Sequence, residues 1–142
     1  MRGIRGTNTK PELLVRSLLH RAGFRFSLHR RTLPGCPDIV LRRHRAVVLV
    51  HGCFWHGHDC PLFRLPKTRT AFWRAKINRN RANDVRTAYA LRALGWRVAV
   101  IWECALKGRQ RVKEPVISAR LVRWLKSTSR SLVIRAKQAS SE

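Results

Sequence analysis

The sequence predicts an α/β fold, a single domain in which a small mixed β-sheet is flanked by helices. Two largely apolar runs, residues 46–50 and 96–102, have the length and composition of buried strands. Segments with the apolar spacing of amphipathic helices precede, separate and follow these runs. The chain has 142 residues, the length of one domain that can bury its own core.

The N-terminal part predicts a helix with a recognisable start and end. Thr9 is a candidate N-cap, and Glu12, three residues later, completes a capping-box pattern. Leucines at helical spacing continue to about Ala22, and Gly23 follows at the position of a C-terminal cap. We therefore expect the first helix between Thr9 and Gly23.

Three strands are expected after this helix. Residues 24–28 alternate between apolar and polar types, as an exposed strand does. Residues 36–41 and 46–50 predict a second and a third strand, separated by the polar residues 42–45. Because a short turn joins the second and third strands, these two should pair antiparallel.

The second half of the chain predicts a helix, a strand and a helix. A long helical pattern begins at Thr70, and we expect a break within residues 78–83, whose asparagines favour helix only weakly. Residues 96–102 predict a fourth, central strand. An amphipathic pattern over residues 112–126 predicts the last helix.

Composition predicts where the folded domain ends. Residues 1–9 are basic and predict a mobile N-terminal arm. Residues 127–142 are rich in Ser, Lys and Arg and predict a flexible basic tail. The predicted domain therefore spans residues 1–126, including the arm.

The charge of the chain predicts a polyanionic partner. Lys and Arg total 31 against 7 Asp and Glu, which gives a net charge of +24. Such a field attracts nucleic acid, and arginine suits bidentate contacts to phosphate and guanine. A ribosomal or histone-like binder is the simplest alternative, but such proteins rarely combine clustered Cys and His with five Trp.

The sequence also predicts an intracellular protein with no membrane partner. No run approaches the roughly 20 apolar residues of a membrane span, and the N-terminus lacks the apolar core of a signal peptide. Cysteines in a reducing compartment are more often metal ligands or free thiols than disulfides.

Four of the chain's metal-ligating side chains predict a structural zinc site. Cys53, His58 and Cys60 are close in sequence, and Cys104 follows the fourth strand. If the third and fourth strands are neighbours that end at the same edge, Cys104 can complete a closed tetrahedral set. The alternative is a group of buried free cysteines. Cys36 is not needed for the site and is expected to be a free thiol.

The scarce carboxylates predict a magnesium-dependent catalytic site. Asp38 lies within an apolar strand, where a carboxylate needs a cation or, as the alternative, an arginine partner. We expect His51 at the end of the third strand, opposite Asp38, where His51 or His56 could take a proton from an attacking water. Asp84 could orient one of these histidines, and Glu12 could hold a metal-bound water. A structural role remains the alternative for each histidine.

The chain resembles the very short patch repair (Vsr) mismatch endonucleases, members of the PD-(D/E)xK nuclease superfamily, over residues 4–108. The resemblance is carried by Pro34-Gly35-x-Pro37-Asp38, by the segment His51-Gly52-Cys53-Phe54-Trp55-His56-x-His58-x-Cys60, by Thr68-Arg69-Thr70-x-Phe72-Trp73, and by Gly95-Trp96-Arg97-Val98 with Trp102-Glu103-Cys104. It implies a restriction-endonuclease-like fold and a bacterial, cytoplasmic, nucleoid-associated enzyme. The implied reaction is a nick 5′ of the thymine in a T:G mismatch that arises from deamination of 5-methylcytosine.

The resemblance also implies roles for individual residues. Asp38 and the backbone carbonyl of Val50 would bind catalytic Mg²⁺, and His56 with Asp84 would lie near the attacking water. His51 matches the usual position of the superfamily's catalytic lysine, and Glu12 matches the family's helix acid. The implied ligands of structural Zn²⁺ are Cys53, His58, Cys60 and Cys104.

The implied DNA contacts come from aromatic and basic side chains. The aromatic group would wedge into the duplex beside the mismatch, where poor stacking lowers the cost of opening the step; its members are Phe54, Trp55 and Trp73. Core packing is the alternative for the first two. The basic group comprises Arg2, Arg5, Lys10 and Arg69.

The sequence therefore predicts a magnesium-dependent mismatch endonuclease that nicks one strand, possesses a structural zinc site and acts as a monomer, with mismatch-repair proteins as possible partners. One alternative is a related restriction-type endonuclease or nickase acting on matched duplex. The other is a catalytically inactive, zinc-stabilised DNA-binding module.

Overall fold

A computed structural model describes residues 8–137 and confirms the predicted single α/β domain with a mixed sheet. Its five strands follow the chain in the spatial order β1-β2-β3-β4-β5. The elements are α1 (Lys10–Arg21), β1 (Ser27–Leu28), β2 (Ile39–Leu41), β3 (Ala46–His51), α2 (Thr70–Ala93), β4 (Arg97–Trp102), α3 (Glu103–Leu106), α4 (Glu114–Leu125) and β5 (Ser131–Ile134).

The strand pairing agrees with the predicted hairpin and brings two strand ends together. β2 and β3 pair antiparallel across a short 3₁₀ turn at Arg42–His44, with Ile39 opposite Val48. β3 and β4 pair parallel, with His51 opposite Trp102. The carboxyl ends of β3 and β4 therefore meet at one edge of the sheet, as the zinc prediction required.

Alternate residues of the central strands pack on opposite faces of the sheet. One face packs under α1 and α4, through residues such as Leu19, Val48 and Ile117. The other face packs under the C-terminal part of α2, through residues such as Val47 and Leu91. The central strands are buried on both faces, which explains their largely apolar sequence.

The predicted break in the long helix is wrong, because α2 is continuous from Thr70 to Ala93. The Asn80 side chain donates a hydrogen bond to the backbone oxygen of Trp55 (2.8 Å) and so contacts the preceding loop. Gly57 of that loop packs directly on Ile77, where a β-carbon would lie 2.6 Å from Cγ2. Tertiary contacts of this kind outweigh the weak intrinsic helix preference of asparagine.

The predicted flexible tail is wrong for the part of residues 127–142 that the structure describes. β5 (Ser131–Ile134) pairs parallel with β4, and both Ile134 and Ala136 are buried. The alternating Ser131-Leu132-Val133-Ile134 segment supplies an edge strand although its surroundings are polar and basic. Residues 138–142 lie outside the described residues.

Two further details differ from the prediction. The first strand is shorter than expected and spans only Ser27–Leu28, and an unpredicted short helix, α3, follows β4 directly. Residues 1–7 of the predicted mobile arm lie outside the described residues, whereas Asn8 and Thr9 belong to the cap of α1, since both contact Glu12.

Within residues 8–137, no helix is long and apolar enough to span a bilayer.

Candidate functional site

Two groups of chemically reactive side chains lie near the carboxyl ends of β3 and β4. Both draw on the loop that follows β3, which runs from Gly52 to Arg69. The first group contains thiols and one imidazole. The second, called the carboxylate group below, combines two sets of side chains: His51, His56 and Asp84 form one, and Glu12, His29 and Asp38 form the other. The loop contributes Cys53, His58 and Cys60 to the first group and His56 to the second, so its conformation affects the geometry of both.

The thiol group consists of Cys53, His58, Cys60 and Cys104, whose ligand atoms all lie within 4.8 Å of one another. His58 Nδ1 is 3.5 Å from the sulfur of both Cys53 and Cys104. A tetrahedral ion with bonds of about 2.0–2.3 Å separates its ligand atoms by about 3.5 Å. Three thiolates and one imidazole therefore fit zinc in both type and spacing.

Burial favours a cation in this group. Desolvation raises the pKa of the Cys53 and Cys104 thiols, whereas backbone N–H donors lower it. Cys53 Sγ accepts from the Cys104 N–H and Cys104 Sγ accepts from the Ala136 N–H, each at 3.3 Å. A bound cation would supply the remaining stabilisation that buried thiolates need.

Further contacts fix the thiol group in ways that sequence reasoning missed. Glu103 accepts a hydrogen bond from the Cys53 N–H (3.1 Å). The Arg135 guanidinium donates to the side chain and the backbone oxygen of Asp59, both at 2.9 Å. Arg135 and Ala136 directly follow β5, so no local motif in the sequence could have linked them to this group. Cys36 is exposed and free, as predicted.

Asp38 is the central carboxylate of the second group. Its Oδ2 accepts a hydrogen bond from the Val50 N–H at 2.8 Å. Desolvation raises the pKa of Asp38 to about 7; the Val50 N–H opposes this shift, and the nearby Glu12 carboxylate adds to it. Within residues 8–137, Asp38 forms no salt bridge, so the alternative of an arginine partner finds no support there.

The predicted pairing of His51 with Asp38 is wrong. Ile39 lies opposite Val48, so continuation of the ladder places Leu49 opposite Asp38. His51 lies further along β3 and stacks on the ring of His56, with centroids 4.0 Å apart. Desolvation lowers the pKa of His51 to about 3, and the neighbouring His56 contributes, so the imidazole is neutral near pH 7.

His56 and Asp84 form a hydrogen-bonded pair across the loop and α2. His56 Nδ1 lies 2.5 Å from Asp84 Oδ2, and both side chains remain partly exposed. When Nδ1 carries the proton, Nε2 keeps the lone pair of a general base. The structure therefore brings His51, His56 and Asp84 together as the sequence predicted, with their ligand atoms within 4.8 Å of one another.

Glu12 approaches Asp38 from α1, together with a residue that sequence reasoning missed. Glu12 is only 1% exposed, and its Oε2 lies 2.7 Å from His29 Nε2. The potential ligand atoms of Glu12, His29 and Asp38 lie within 4.8 Å of one another. His29 has no motif around it, and only the packing of α1 against the first strands brings it to Glu12.

The aromatic side chains form a cluster beside these groups. Phe54 contacts Trp55 and Trp73 edge to face, with ring centroids 5.1 and 5.5 Å apart. Trp55 is 39% exposed, so this cluster reaches the surface and is not part of the domain core. This exposure disfavours core packing as the role of Trp55, whereas Phe54 and Trp73 are half-buried.

The basic residues predicted to contact DNA have different surroundings. Arg69 stacks on the ring of Phe72 at 4.3 Å, next to the aromatic cluster. Lys10 is exposed at the start of α1. Arg2 and Arg5 lie outside the described residues.

Comparisons with known proteins point to one family. The family model described as DNA mismatch endonuclease Vsr matches residues 1–62. The type II nicking enzyme V.XorIIP of Xanthomonas oryzae pv. oryzae is 58% identical over 106 residues, which cover 75% of this chain and 78% of that protein. The DNA mismatch endonuclease Vsr of Escherichia coli K12 is 44% identical over 125 residues, covering 88% and 80% of the two chains. The type II nicking enzyme V.NmeAIP of Neisseria meningitidis serogroup A is 42% identical over 123 residues, covering 87% and 86%.

Proposed function

From the premise that the chain belongs to the Vsr DNA mismatch endonuclease family and is a DNA-cleaving hydrolase, we propose a specific reaction. The protein nicks one DNA strand 5′ of the thymine in a T:G mismatch. The proposed reaction requires Mg²⁺ and starts very short patch repair at deaminated 5-methylcytosine. The observation that carries the proposal is the position of Asp38, which lies beside Glu12 and close enough to His56, the partner of Asp84, for their charges to interact.

Asp38 and the backbone carbonyl of Val50 are the proposed magnesium ligands. The N–H and C=O of one strand residue point to the same side, and the Val50 N–H already faces Asp38. Carboxylate and carbonyl oxygens are the ligands that Mg²⁺ takes, together with water. The ion would supply Lewis-acid stabilisation of the charge that develops on the scissile phosphate.

His56 is the proposed general base. Asp84 accepts the Nδ1 proton, which fixes the ring orientation and leaves Nε2 to take a proton from water. The neutral His51 ring, stacked on His56, restricts the movement of that base. Glu12 would accept a hydrogen bond from a water molecule near Asp38.

The aromatic cluster is the proposed mismatch reader. Stacking of inserted rings on bases contributes about 1–3 kcal/mol per base, which offsets part of the cost of opening a step. A mismatched step is already poorly stacked, so the same insertion is less favourable at a matched step. The rings proposed for this role are those of Phe54, Trp55 and Trp73. An asymmetric mismatch requires one active site, so the proposed active form is a monomer.

One set of duplexes tests the proposal. End-labelled T:G, T:A and C:G duplexes of otherwise identical sequence are incubated with the protein in Mg²⁺ and in Ca²⁺. We expect a single nick 5′ of the mismatched thymine, only in Mg²⁺ and only in the T:G duplex. Asp38→Ala should bind the T:G duplex within about twofold of wild-type affinity and show no nick.

Other outcomes would assign a different function. Equal cleavage of matched duplex would indicate a nickase that reads intact DNA. Binding without any nick by the unaltered protein would indicate a DNA-binding module. Nicking by Asp38→Ala would refute the proposed magnesium site.

A further inference from the structure

We propose that His29 is a positioning residue of the nicking site, one that holds the Glu12 carboxylate at a fixed distance from Asp38. The inference rests on the proposed function, because it assigns a task within the same site. Neither the sequence motifs nor the resemblance to the family gave His29 any role.

Of the side chains that contact the Glu12 carboxylate, that of His29 is the closest. Glu12 Oε2 is 2.7 Å from His29 Nε2 and 3.3 Å from Arg16 Nη1, while Oε1 accepts from the Asn8 N–H at 3.1 Å. With a proton on Nε2, His29 donates to Oε2 at a shorter distance than Arg16 does. A carboxylate held from several directions cannot rotate freely, and this restriction keeps its orientation toward Asp38 constant.

The backbone of His29 is tied to Asp38 as well. The His29 N–H donates to the backbone oxygen of Asp38 at 3.1 Å. One residue is therefore hydrogen-bonded to both acids, to Asp38 through its main chain and to Glu12 through its ring. No other described residue is shown to make this pair of contacts.

The conformation of His29 is unusual in a way that agrees with a positioning role. Its φ is +46°, in the left-handed region that residues other than glycine seldom adopt. Such conformations persist where surrounding contacts determine them, and they occur often at functional sites. In this conformation the ring contacts Glu12 of α1.

The two acids need this arrangement because their charges repel. The ligand atoms of Glu12, His29 and Asp38 lie within 4.8 Å of one another, and Glu12 is buried. A divalent cation at Asp38 would be attracted by both carboxylates, but only if Glu12 keeps its place. His29 supplies that restraint without adding a permanent positive charge, as a second arginine would.

Four substitutions test the proposal. His29→Ala removes the ring. His29→Asn suits the left-handed backbone but is too short to reach Glu12. His29→Gln places an amide N–H near the position of Nε2. Arg16→Ala removes the longer contact to the same Glu12 oxygen, and His20→Ala is the control for loss of an exposed histidine on α1.

The first measurement is nicking of the T:G duplex as a function of Mg²⁺ concentration. We expect His29→Ala and His29→Asn to lower kcat by about 10–100-fold and to raise the Mg²⁺ concentration for half-maximal rate about tenfold. Affinity for the duplex should change less than twofold. His29→Gln should recover most of the rate, and Arg16→Ala should lose less than threefold.

The second measurement does not depend on catalysis. Binding of Mn²⁺ to the zinc-loaded protein, followed by loss of the free-ion electron paramagnetic resonance signal, should weaken about tenfold in His29→Ala and His29→Asn. It should remain close to the wild-type value in His20→Ala. Nitrogen-15 spectra should show a proton on Nε2 of His29, as a hydrogen bond donated to Glu12 requires.

Distinct results would overturn the proposal. If Arg16→Ala loses as much activity and Mn²⁺ affinity as His29→Ala, then neutralisation of Glu12 matters and positioning does not. If His29→Ala keeps both its Mg²⁺ dependence and its Mn²⁺ affinity, His29 is structural. If the unaltered protein nicks no duplex, the proposed function fails, and the Mn²⁺ measurement then decides the role of His29 by itself.

Discussion

The thiol group and the carboxylate group both use side chains of the loop after β3 but differ in burial and in the atoms they offer. Cys53 and Cys104 are almost fully buried, whereas the side chains of His56 and Asp84 are 22% and 28% exposed. Soft sulfur ligands in a closed, dry position suit a structural ion. Oxygen and nitrogen atoms that remain reachable suit a hydrated ion and a substrate phosphate. The contrast indicates that one group sets the shape of the loop so that the other can stay open.

The two groups are also completed from different parts of the chain. Cys104 and the segment after β5 complete the thiol group. The carboxylate group is completed by Asp38, which directly precedes β2, and by Glu12 and Asp84, which come from helices on opposite faces of the sheet. Damage to the first group should therefore impair both, whereas damage to the second should leave the first intact.

The largest expected effect is that of Cys104→Ala. Loss of this sulfur should release the metal, lower the free energy of unfolding by about 3–5 kcal/mol and abolish both mismatch binding and nicking. Metal content by atomic emission, thermal unfolding and the duplex assay check these outcomes together. Cys36→Ser, at an exposed free thiol, is the control and should keep one metal per chain. A Cys104→Ala protein that retains its metal would show that the thiol group is not the ion's site.

Asp84→Asn should affect only the carboxylate group. The amide can no longer accept the His56 proton in the same way, so we expect kcat to fall by about 10–100-fold. Metal content and duplex affinity should not change. Asn83→Ala, at the adjacent and exposed position of α2, is the control. Equal losses in the two variants would mean that α2 is merely destabilised.

The pH dependence of stability should reveal Asp38. Its pKa is raised to about 7 by desolvation, so between about pH 4 and pH 7 the folded chain binds a proton that the unfolded chain has released. Stability from this residue is present at low pH and is lost as the pH rises toward 7. Asp38→Asn cannot ionise, and its free energy of unfolding relative to wild type should increase by about 3 kcal/mol across this window.

The contribution of Asp38 is measured by the difference in free energy of unfolding between Asp38→Asn and wild type, because other residues also titrate in this window. His51, with a pKa lowered to about 3, contributes with the opposite sign, since its stabilisation is lost as the pH falls below about 6.5. Urea unfolding without Mg²⁺ at several pH values gives the comparison. Saturating Mg²⁺ near pH 7.5 should stabilise wild type and leave Asp38→Asn unaffected. A difference that stays constant with pH would contradict the proposed burial of an ionisable carboxyl.

The smallest expected effect is that of Arg135→Ala. The variant loses both hydrogen bonds to Asp59, which adjoins two of the proposed zinc ligands. We expect the metal to leave two- to tenfold faster into a chromophoric chelator, with little change in nicking while the metal remains bound. Arg130→Ala, exposed just before β5, is the control. An unchanged release rate would show that the segment after β5 does not restrain the loop.

The elements that were predicted correctly are those whose structure depends on residues close together in the sequence, such as a helix cap or an apolar strand run. The Thr9 cap is formed, and the buried strands β3 and β4 match their apolar runs. The predictions of a break in α2 and of a flexible C-terminal tail were wrong for the same reason. Asn80 and β5 take their structure from distant partners, the Trp55 carbonyl and strand β4, which composition and propensity do not encode.

The sequence alone determined which residue types the site contains and the order in which they appear. Its loop of His, Cys and aromatic residues after a buried strand identified both groups, because such side chains rarely cluster without a chemical purpose. Tertiary structure alone decided which group each residue joins. Only the parallel pairing of β3 with β4 brings Cys104 to Cys53. The pairing of β1 with β2 brings His29 to Asp38, and only the packing of α1 adds Glu12 to them. The physical reason is that these contacts join residues far apart in the chain, and their distances depend on how the whole domain packs.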